Sequence, residues 1–230
     1  MKLSVVIPVY NEAATLADVV NQVLAAPYDL EIIVVDDGSR DGTREVIEAG
    51  FPSANGAEIK RLFCDRNRGK GSALRKGIAE ATGDIVIVQD ADLEYHPREY
   101  PALLRPIEEG IADVVYGSRF MGGPHQVPKS WRYVGNRILT MLSNTFTKLN
   151  LTDMETGYKV FRREVLNDVH LRSNRFTIEP EITAKIARKG YRIREVPIGY
   201  SGRTYAQGKK IKWRDGFAAI VAILRFRYFD

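Results

Sequence analysis

The first 120 residues alternate short apolar segments with segments of helical periodicity, and this alternation constrains the fold more than any other feature. The segments SVVIPV, EIIVV and DIVIV are apolar throughout, as strands covered by helices on both sides are. Between the first two, Leu16, Val19, Val20, Val23 and Leu24 recur at helical spacing. The βαβαβαβαβ order predicts an α/β fold with a mainly parallel central sheet and helices on both faces.

The second half of the chain is less regular. Its pattern predicts helices over Trp131–Lys148 and Thr177–Gly190, short strands in GYKVF and YRIREVPIGY, and an apolar helix in GFAAIVAILRFRYFD. Asn11 is expected to cap the first helix, and Pro97 suits the first turn of the helix after the fourth strand. We expect a single domain over residues 1–230.

The net charge is +5, which indicates an anionic partner such as a phosphorylated substrate, an acidic lipid or nucleic acid. A simply basic, soluble protein is the alternative interpretation. No nucleic-acid reader motif is present, and acidic strand ends would repel phosphates, so nucleic acid is disfavoured. The single cysteine, Cys64, fits a reducing compartment, and the apolar run that Pro8 interrupts is too short for a secretion signal. We therefore expect a cytoplasmic protein.

Polar and acidic residues that can contact a ligand follow three of the predicted strands. The first ends in VIPVYNE, the second in VVDDGS and the fourth in VQDADLE. Ligands of open α/β sheets bind beyond the carboxyl ends of the strands. One crevice is therefore expected to collect Tyr10, Asn11, Glu12, Asp36, Asp37, Asp90 and Asp92.

The segment QDADLE is a candidate metal site. Asp90 and Asp92 are two residues apart, so in an extended segment their carboxylates point the same way. Two adjacent carboxylates repel each other, and a hard divalent cation such as Mg²⁺ or Mn²⁺ removes that repulsion. Glu94 is a candidate third ligand. The alternative is that these acids cap the following helix or pair with lysines.

Three other polar segments have both functional and structural interpretations. Asp36 and Asp37 can accept hydrogen bonds from a nucleoside, or the segment DDGSRDGT can be a turn with Asx-type bonds from Asp37 and Asp41. In NRGKG, backbone N–H groups and Lys70 can meet a phosphate, or the loop is a solvated basic surface. The basic segment GRTYAQGKKIKW can close over a diphosphate or be exposed. His96 is interpreted as a helix-start residue.

The motifs together resemble the family 2 glycosyltransferases of the GT-A fold, over residues 3 to about 216. The later ones resemble the polyprenyl-phosphate branch, similar to dolichyl-phosphate mannose synthases, although YAQGKK stands where those enzymes usually have Y-G-x-S-K. The ordered set is VVIPVYNE, IIVVDDGSRDGT, NRGKGSALRKGIAEATGDIVIVQDADLE, DVVYGSRF, DMETGYKVFRREVL and EVPIGYSGRTYAQGKK.

The resemblance implies an inverting transfer from a UDP- or GDP-linked sugar, with Mg²⁺ or Mn²⁺ as cofactor. It divides the chain into a nucleotide-sugar half (1–120), an acceptor half with a closing loop (121–214) and a C-terminal helix (215–230). Individual residues of this sequence stand at the positions where the family's motifs have functional residues. Donor contacts are implied for Pro8, Tyr10, Glu12, Asp37, Lys70 and Asp90; metal binding for Asp90, Asp92 and Glu94; catalysis for Asp92, Arg203 and Lys209; the acceptor side for Arg119.

Two acceptors remain open. A polyprenyl phosphate is already ionised and attacks directly, whereas a saccharide hydroxyl, as in cell-wall biosynthesis, needs a carboxylate base. Asp153, Glu179 and Glu181 are the candidates on the acceptor side, and their spacing does not place them. A non-catalytic sugar-nucleotide-binding protein is a less favoured alternative.

The C-terminal helix also has several interpretations. Its stripe of Phe217, Ile220, Val221, Leu224 and Tyr228 can rest on the inner face of a membrane, pack in the core or form a homodimer contact.

Overall fold

The computed structural model describes residues 1–52, 56–121, 131–202 and 213–229, without the side chains of residues 131–132 and 213–215. Strands and helices alternate through β5, as predicted, and a 3₁₀ turn at Pro97–Glu99 precedes α4. The strands are β1 (Lys2–Val9), β2 (Asp29–Asp36), β3 (Glu58–Phe63), β4 (Ile85–Val88), β5 (Val114–Ser118), β6 (Lys159–Arg162) and β7 (Ile193–Pro197). The helices are α1 (Leu16–Leu24), α2 (Thr43–Ala49), α3 (Lys70–Glu80), α4 (Tyr100–Glu108), α5 (Trp131–Thr147), α6 (Arg163–Asp168), α7 (Ile178–Lys189) and α8 (Trp213–Tyr228).

The described strands form one seven-stranded sheet in the order β3-β2-β1-β4-β6-β5-β7. All neighbours pair parallel except β6, which runs antiparallel to both β4 and β5. The mainly parallel sheet is therefore confirmed. The reversed direction of β6 matters for the site, because its amino end lies beside the carboxyl ends of β4 and β5.

Helices cover both faces of the sheet. In β1, Val5 and Ile7 pack into one apolar cluster with α1 and α4, while Val6 packs into a second cluster with α3 and α7. Both sets of side chains are fully buried. This arrangement explains why β1, β2 and β4 are apolar throughout, since neither face of these strands meets water.

One local prediction was wrong, and one helix was missed. Asn11 does not cap α1: its backbone adopts a left-handed conformation with φ 53°, and the helix begins five residues later at Leu16, after Thr15. The short helix α6 after β6 was not predicted. His96, by contrast, is a helix-start residue as expected, because its Nδ1 accepts a hydrogen bond of 3.0 Å from the Arg98 N–H.

Candidate active site

A cleft of about 330 Å³ lies beyond the carboxyl ends of the central strands. The structure brings most of the predicted site residues to this cleft. Asn11, Asp36, Asp153 and Glu181 do not line it, and Arg203 and Lys209 lie outside the described residues. The predicted residues that line it are Pro8, Tyr10, Glu12, Asp37, Lys70, Asp90, Asp92, Glu94, Arg119 and Glu179.

The loops that follow β1 and β2 hold each other, and we call residues 10–13 and 36–43 together the first wall. The Asn11 N–H donates to Ser39 Oγ at 2.9 Å, and Asn11 Oδ1 accepts from the Arg40 N–H at 2.9 Å. Similar bonds join Glu12 to Thr43 and Ala13 to Asp41. Asn11 thus serves as a bridge between the two loops, which accounts for its left-handed backbone.

Asp37 connects this wall to the glycine-rich loop before α3. Its carboxylate accepts the N–H groups of Arg68 at 3.0 Å and Gly69 at 2.6 Å, so it caps the start of α3. Burial raises the pKa of Asp37, although these bonds oppose the rise. The Asx-type turn bond predicted for Asp41 is present, but the one predicted for Asp37 is made by Asp36, which accepts from the Ser39 N–H.

Four side chains of alternating charge cross the floor of the cleft, and we call Asp90, Lys70, Glu179 and Lys159 the ionic chain. Lys70 Nζ lies 2.8 Å from Asp90 Oδ1 and 3.3 Å from Glu179 Oε1, and Lys159 Nζ pairs with Glu179 Oε2. Burial opposes the charge on Lys70, but the two carboxylates outweigh it and raise its pKa. Lys70 therefore orients two carboxylates here, and the phosphate contact predicted for it stays a prediction.

The loop of residues 152–157, which leads into β6, is held by three buried or half-buried side chains. Glu195 accepts the N–H groups at the start of the loop, Lys159 Nζ donates to two of its carbonyls, and Tyr95 Oη accepts the N–H at its end. The backbone groups involved are those of Thr152, Asp153, Met154, Thr156 and Gly157. The 152–157 loop and the ionic chain together form the second wall of the cleft.

Two residues of this loop reach the cleft, and neither was predicted. A Cβ on Gly157 would lie 2.2 Å from Asp90 Oδ2, so glycine lets the loop touch the acidic motif. Glu155 lines the cleft, and its buried Oε1 has no hydrogen-bond partner among the described residues. Burial, reinforced by Glu179, raises the pKa of Glu155 to about 7. The motif DMETGYKVFRREVL contains both residues but does not say which of them face a ligand.

Arg119 lines the cleft after β5, and its place on the acceptor side stays a prediction. Its guanidinium makes a bidentate pair with Asp153, with distances of 2.7 and 2.8 Å, and stacks on the ring of Tyr200 at 5.2 Å. Burial opposes ionisation of Asp153, but Arg119 outweighs it and lowers the pKa of that carboxyl. Asp153 therefore serves to position Arg119.

The three predicted metal ligands do not converge. Asp90 is bonded to Lys70, Asp92 Oδ1 accepts the Glu94 N–H at 3.1 Å, and Glu94 Oε2 accepts the Tyr200 hydroxyl at 2.9 Å. Across residues 1–52, 56–121, 131–202 and 213–229, no group of three acidic, histidine or cysteine side chains is placed to hold a metal ion. The oxygen donors of Asp90 and Asp92 do fit the mode in which one or two carboxylates and substrate phosphates bind Mg²⁺ or Mn²⁺.

Glu181, which was predicted on the acceptor side, bonds to the protein's own backbone and to a lysine. Its buried carboxylate accepts the N–H groups of Arg172 at 2.7 Å and Ser173 at 2.6 Å and pairs with Lys185. It thus fixes the loop before α7 rather than facing the acceptor.

The C-terminal helix presents most of its predicted apolar stripe to the surface, while Ile220 is half-buried. The helix packs against the protein through Ala219, Ala222, Ile223 and Phe226, so core packing does not account for the stripe. No helix in the described part of the chain is long and apolar enough to cross a bilayer. We call the exposed apolar side chains of α5 and α8 the apolar face; they are Val134, Ile138, Met141, Phe217, Val221, Leu224 and Tyr228.

Comparisons with known proteins agree with this geometry. The sequence model of Glycosyl transferase family 2 matches residues 4–169. Over 212 residues the chain is 31% identical to the undecaprenyl-phosphate 4-deoxy-4-formamido-L-arabinose transferase of Aeromonas hydrophila. That alignment covers 90% of this chain and 62% of the relative, so the chain spans less than two thirds of its length.

Solved structures share the fold. Glucosyl-3-phosphoglycerate synthase from Mycobacterium tuberculosis, in complex with Mn²⁺, UDP and phosphoglyceric acid, superposes with a TM-score of 0.74 and 22% identity, covering 100% of this chain and 79% of that one. The complex with Mn²⁺, UDP-glucose and phosphoglyceric acid gives a TM-score of 0.72 and 23% identity over 98% and 78% of the two chains. The GT-A fold expected from the resemblance is therefore confirmed.

Proposed function

Because the chain belongs to glycosyl transferase family 2, we propose that it transfers a sugar, with inversion, from a nucleoside diphosphate sugar to a polyprenyl phosphate. The observation that carries the proposal is the convergence of three strand ends on one cleft. Residues from the ends of β1, β2 and β4 line it together, as do Arg119 after β5 and Glu179 of α7. A cleft at this edge of an α/β sheet is where nucleotide ligands bind.

The central chemical problem of the reaction is the charge on the departing nucleoside diphosphate. Asp92 and Asp90 would hold Mg²⁺ or Mn²⁺, which supplies Lewis-acid stabilisation of that diphosphate when bound. Lys70 and Glu179 hold the Asp90 carboxylate in place through the ionic chain. Preorganised charges of this kind need no rearrangement during the reaction. Arg203 and Lys209, outside the described residues, are the cations we assign to the diphosphate.

The pairing of the three carboxylates predicted as candidate bases favours a phosphate acceptor over a hydroxyl acceptor. Each carboxylate that was a candidate base is already engaged: Asp153 with Arg119, Glu179 with two lysines and Glu181 with two backbone N–H groups. A phosphate is ionised at neutral pH and needs no base. The family 2 relative is named for undecaprenyl phosphate, a lipid of this chemical class.

The apolar face supports contact with the membrane that would hold such a lipid. Phe217 and Met141 are 67% and 66% exposed, and the exposed Arg137 and Arg225 lie on the same two helices. Apolar side chains flanked by arginines are the composition with which surface helices bind acidic bilayers. We propose that this face rests on the membrane, with a homodimer contact as the alternative.

A donor panel tests the activity. UDP- and GDP-linked sugars are supplied with Mn²⁺ or Mg²⁺, with and without a short polyprenyl phosphate, and formation of the glycosyl lipid is measured. Asp92→Ala is expected to abolish transfer without changing the melting temperature. Asp29→Ala, at the opposite end of the sheet, is the control and should keep full activity. Full turnover by Asp92→Ala would remove the acidic motif from the mechanism, and no transfer from any donor would refute the proposal.

Vesicle sedimentation tests the membrane contact. The variant Met141→Glu/Val221→Glu is expected to lose binding to vesicles that contain anionic phospholipid, because both side chains are at the surface of the apolar face. Ile111→Glu alters an exposed apolar residue between α4 and β5 and is the control. Unchanged sedimentation of the double variant, together with its conversion from dimer to monomer in gel filtration, would favour the homodimer.

A further inference from the structure

Glu155 differs from the other acidic residues of the second wall because, within the described part of the chain, one of its oxygens has no bonding partner. The carboxylates of Asp153 and Glu179 are paired with cations. Glu155 Oε1 is buried and has no hydrogen-bond partner among the described residues. A buried polar atom without a partner costs free energy, so a native protein keeps one where a ligand or a reaction uses it.

The backbone on both sides of Glu155 is held in place by hydrogen bonds. Both neighbours, Met154 and Thr156, have their carbonyls bonded to Lys159 Nζ, and Lys159 is itself only 1% exposed. Glu195 holds the start of the 152–157 loop and Tyr95 holds its end. The loop therefore presents the Glu155 carboxyl group to the cleft with little freedom, which is how specificity-determining groups are preorganised.

The position of Glu155 identifies the part of the donor that it meets. Gly157, two residues further on, is in direct contact with Asp90, the first acid of the motif assigned to the diphosphate. Glu155 also lines the same cleft as Arg119, the residue predicted on the acceptor side. The part of the donor that lies between its diphosphate and the acceptor is the sugar.

The surrounding charge decides what kind of group binds there. Glu179 and Asp153 are the carboxylates whose charges act on Glu155, and the cations that act on it, Lys159 and Arg119, are each paired with one of them. A phosphate next to Glu155 would meet uncompensated negative charge. A neutral hydrogen-bond donor such as a sugar hydroxyl meets no such repulsion and satisfies the unpaired oxygen.

We propose that Glu155 is a specificity-determining residue that accepts a hydrogen bond from a hydroxyl of the transferred sugar. This inference rests on the proposed function, since it takes a nucleoside diphosphate sugar as the ligand. It predicts that Glu155 distinguishes the sugar nucleotide from the bare nucleotide. A site built to hold a hydroxyl also discriminates strongly against a deoxy analogue, because the buried acceptor is then left unpaired.

Calorimetric titration in Mn²⁺ tests the proposal, with UDP-glucose and GDP-mannose each compared with UDP or GDP. Glu155→Ala is expected to bind the sugar nucleotide about 10–100-fold more weakly, which corresponds to a hydrogen bond to a charged group. Its affinity for the bare nucleoside diphosphate should not change. Glu155→Gln, which keeps an acceptor oxygen, should retain most of the affinity. Glu164→Ala, an exposed glutamate on α6, is the control.

The outcomes distinguish a failure of the role proposed for Glu155 from a failure of the proposed sugar-transfer function. Equal affinity of wild type and Glu155→Ala for the sugar nucleotide would overturn the role of Glu155 while leaving the proposed function standing. Transfer that is lost equally in the Ala and Gln variants, with sugar-nucleotide affinity unchanged, would also overturn it and indicate a base. Wild-type protein that binds neither nucleotide nor sugar nucleotide would refute the proposed function itself.

Discussion

The two walls of the cleft are held by different forces. The first wall consists of turns whose backbone N–H groups bond to the short polar side chains of Asn11, Ser39, Asp41 and Thr43. In the second wall, the 152–157 loop is held by Lys159. This buried cation donates to two carbonyls of the loop and to the Glu179 carboxylate. A hydrogen bond contributes a net free energy of roughly 1 kcal/mol, whereas breaking a buried ion pair costs about 3–5 kcal/mol. Damage to the second wall should therefore be far more costly.

The substitution Lys159→Met should have the largest effect. It removes one of the two lysines that pair with the buried Glu179 carboxylate, together with the donor to two carbonyls. We expect the free energy of unfolding to fall by about 3–5 kcal/mol, measured by urea denaturation at pH 7.5. Lys189→Met removes a lysine from an exposed pair with Asp168 and is the matched control. If both variants unfold at the same urea concentration as wild type, the ionic chain does not hold the second wall.

Gly157→Ala tests the contact between the second wall and the acidic motif. The new Cβ would lie 2.2 Å from Asp90 Oδ2 and 3.0 Å from the ring of Tyr95, so Asp90 must move away from its partner. Since a misplacement of about 1 Å in an active site costs roughly 100-fold in rate, we expect a loss of transfer of that order with the fold retained. The measurement is the transfer rate beside the melting temperature.

Gly135→Ala is the control for that substitution. Gly135 lies within α5, and a Cβ there meets no heavy atom within 4 Å. Alanine is favoured over glycine in a helix by about 1 kcal/mol, so this variant should be active and slightly more stable. Normal transfer by both variants would show that Asp90 does not need its observed position.

The sequence predicted the first wall better than the second for a topological reason. Parallel strands repeat along the chain and their carboxyl ends meet at one edge, so Tyr10, Glu12 and Asp37 were expected together. Glu155 and Gly157 reach that edge only because β6 runs antiparallel between β4 and β5. A four-residue strand carries no sequence signal for its direction. The pairing of Lys70 with Asp90 and Glu179 likewise depends on distances that spacing along the chain does not determine.

Glu155→Gln should stabilise the protein, which would distinguish a functional carboxyl group from a structural one. The ordinary pKa of a glutamate is 4.5, and burial raises that of Glu155 to about 7. Between these pH values the unfolded chain holds fewer protons than the folded chain, so wild-type stability falls as the pH rises through this window. Glutamine does not titrate. The variant should be more stable by about 1–3 kcal/mol at pH 8 and equal to wild type at pH 4.

Thermal unfolding of wild type and Glu155→Gln across pH 4–8 measures this difference. A stability gain in Glu155→Gln, combined with the weaker sugar-nucleotide binding expected of Glu155→Ala, would fit a residue that functions at the expense of stability. A variant that is less stable than wild type at pH 8 would show that Glu155 supports the fold and that its carboxylate has partners in solution.

Asp41→Ala should have the smallest effect and tests the first wall. Asp41 accepts from the Thr43 N–H at 3.1 Å and from the Ala13 N–H at 3.2 Å at the exposed rim of the cleft. We expect the free energy of unfolding to fall by about 1 kcal/mol, because water replaces part of the hydrogen bonding that Asp41 provides. Partial burial opposes ionisation of Asp41, but its hydrogen bonds outweigh that and lower its pKa below the ordinary 3.8. Its contribution is therefore complete above pH 3.8 and is lost as the pH falls through the lower folded-state value. Asp41→Asn keeps an acceptor and is the control; a loss for Asp41→Ala as large as that for Lys159→Met would mean that both walls depend equally on charge.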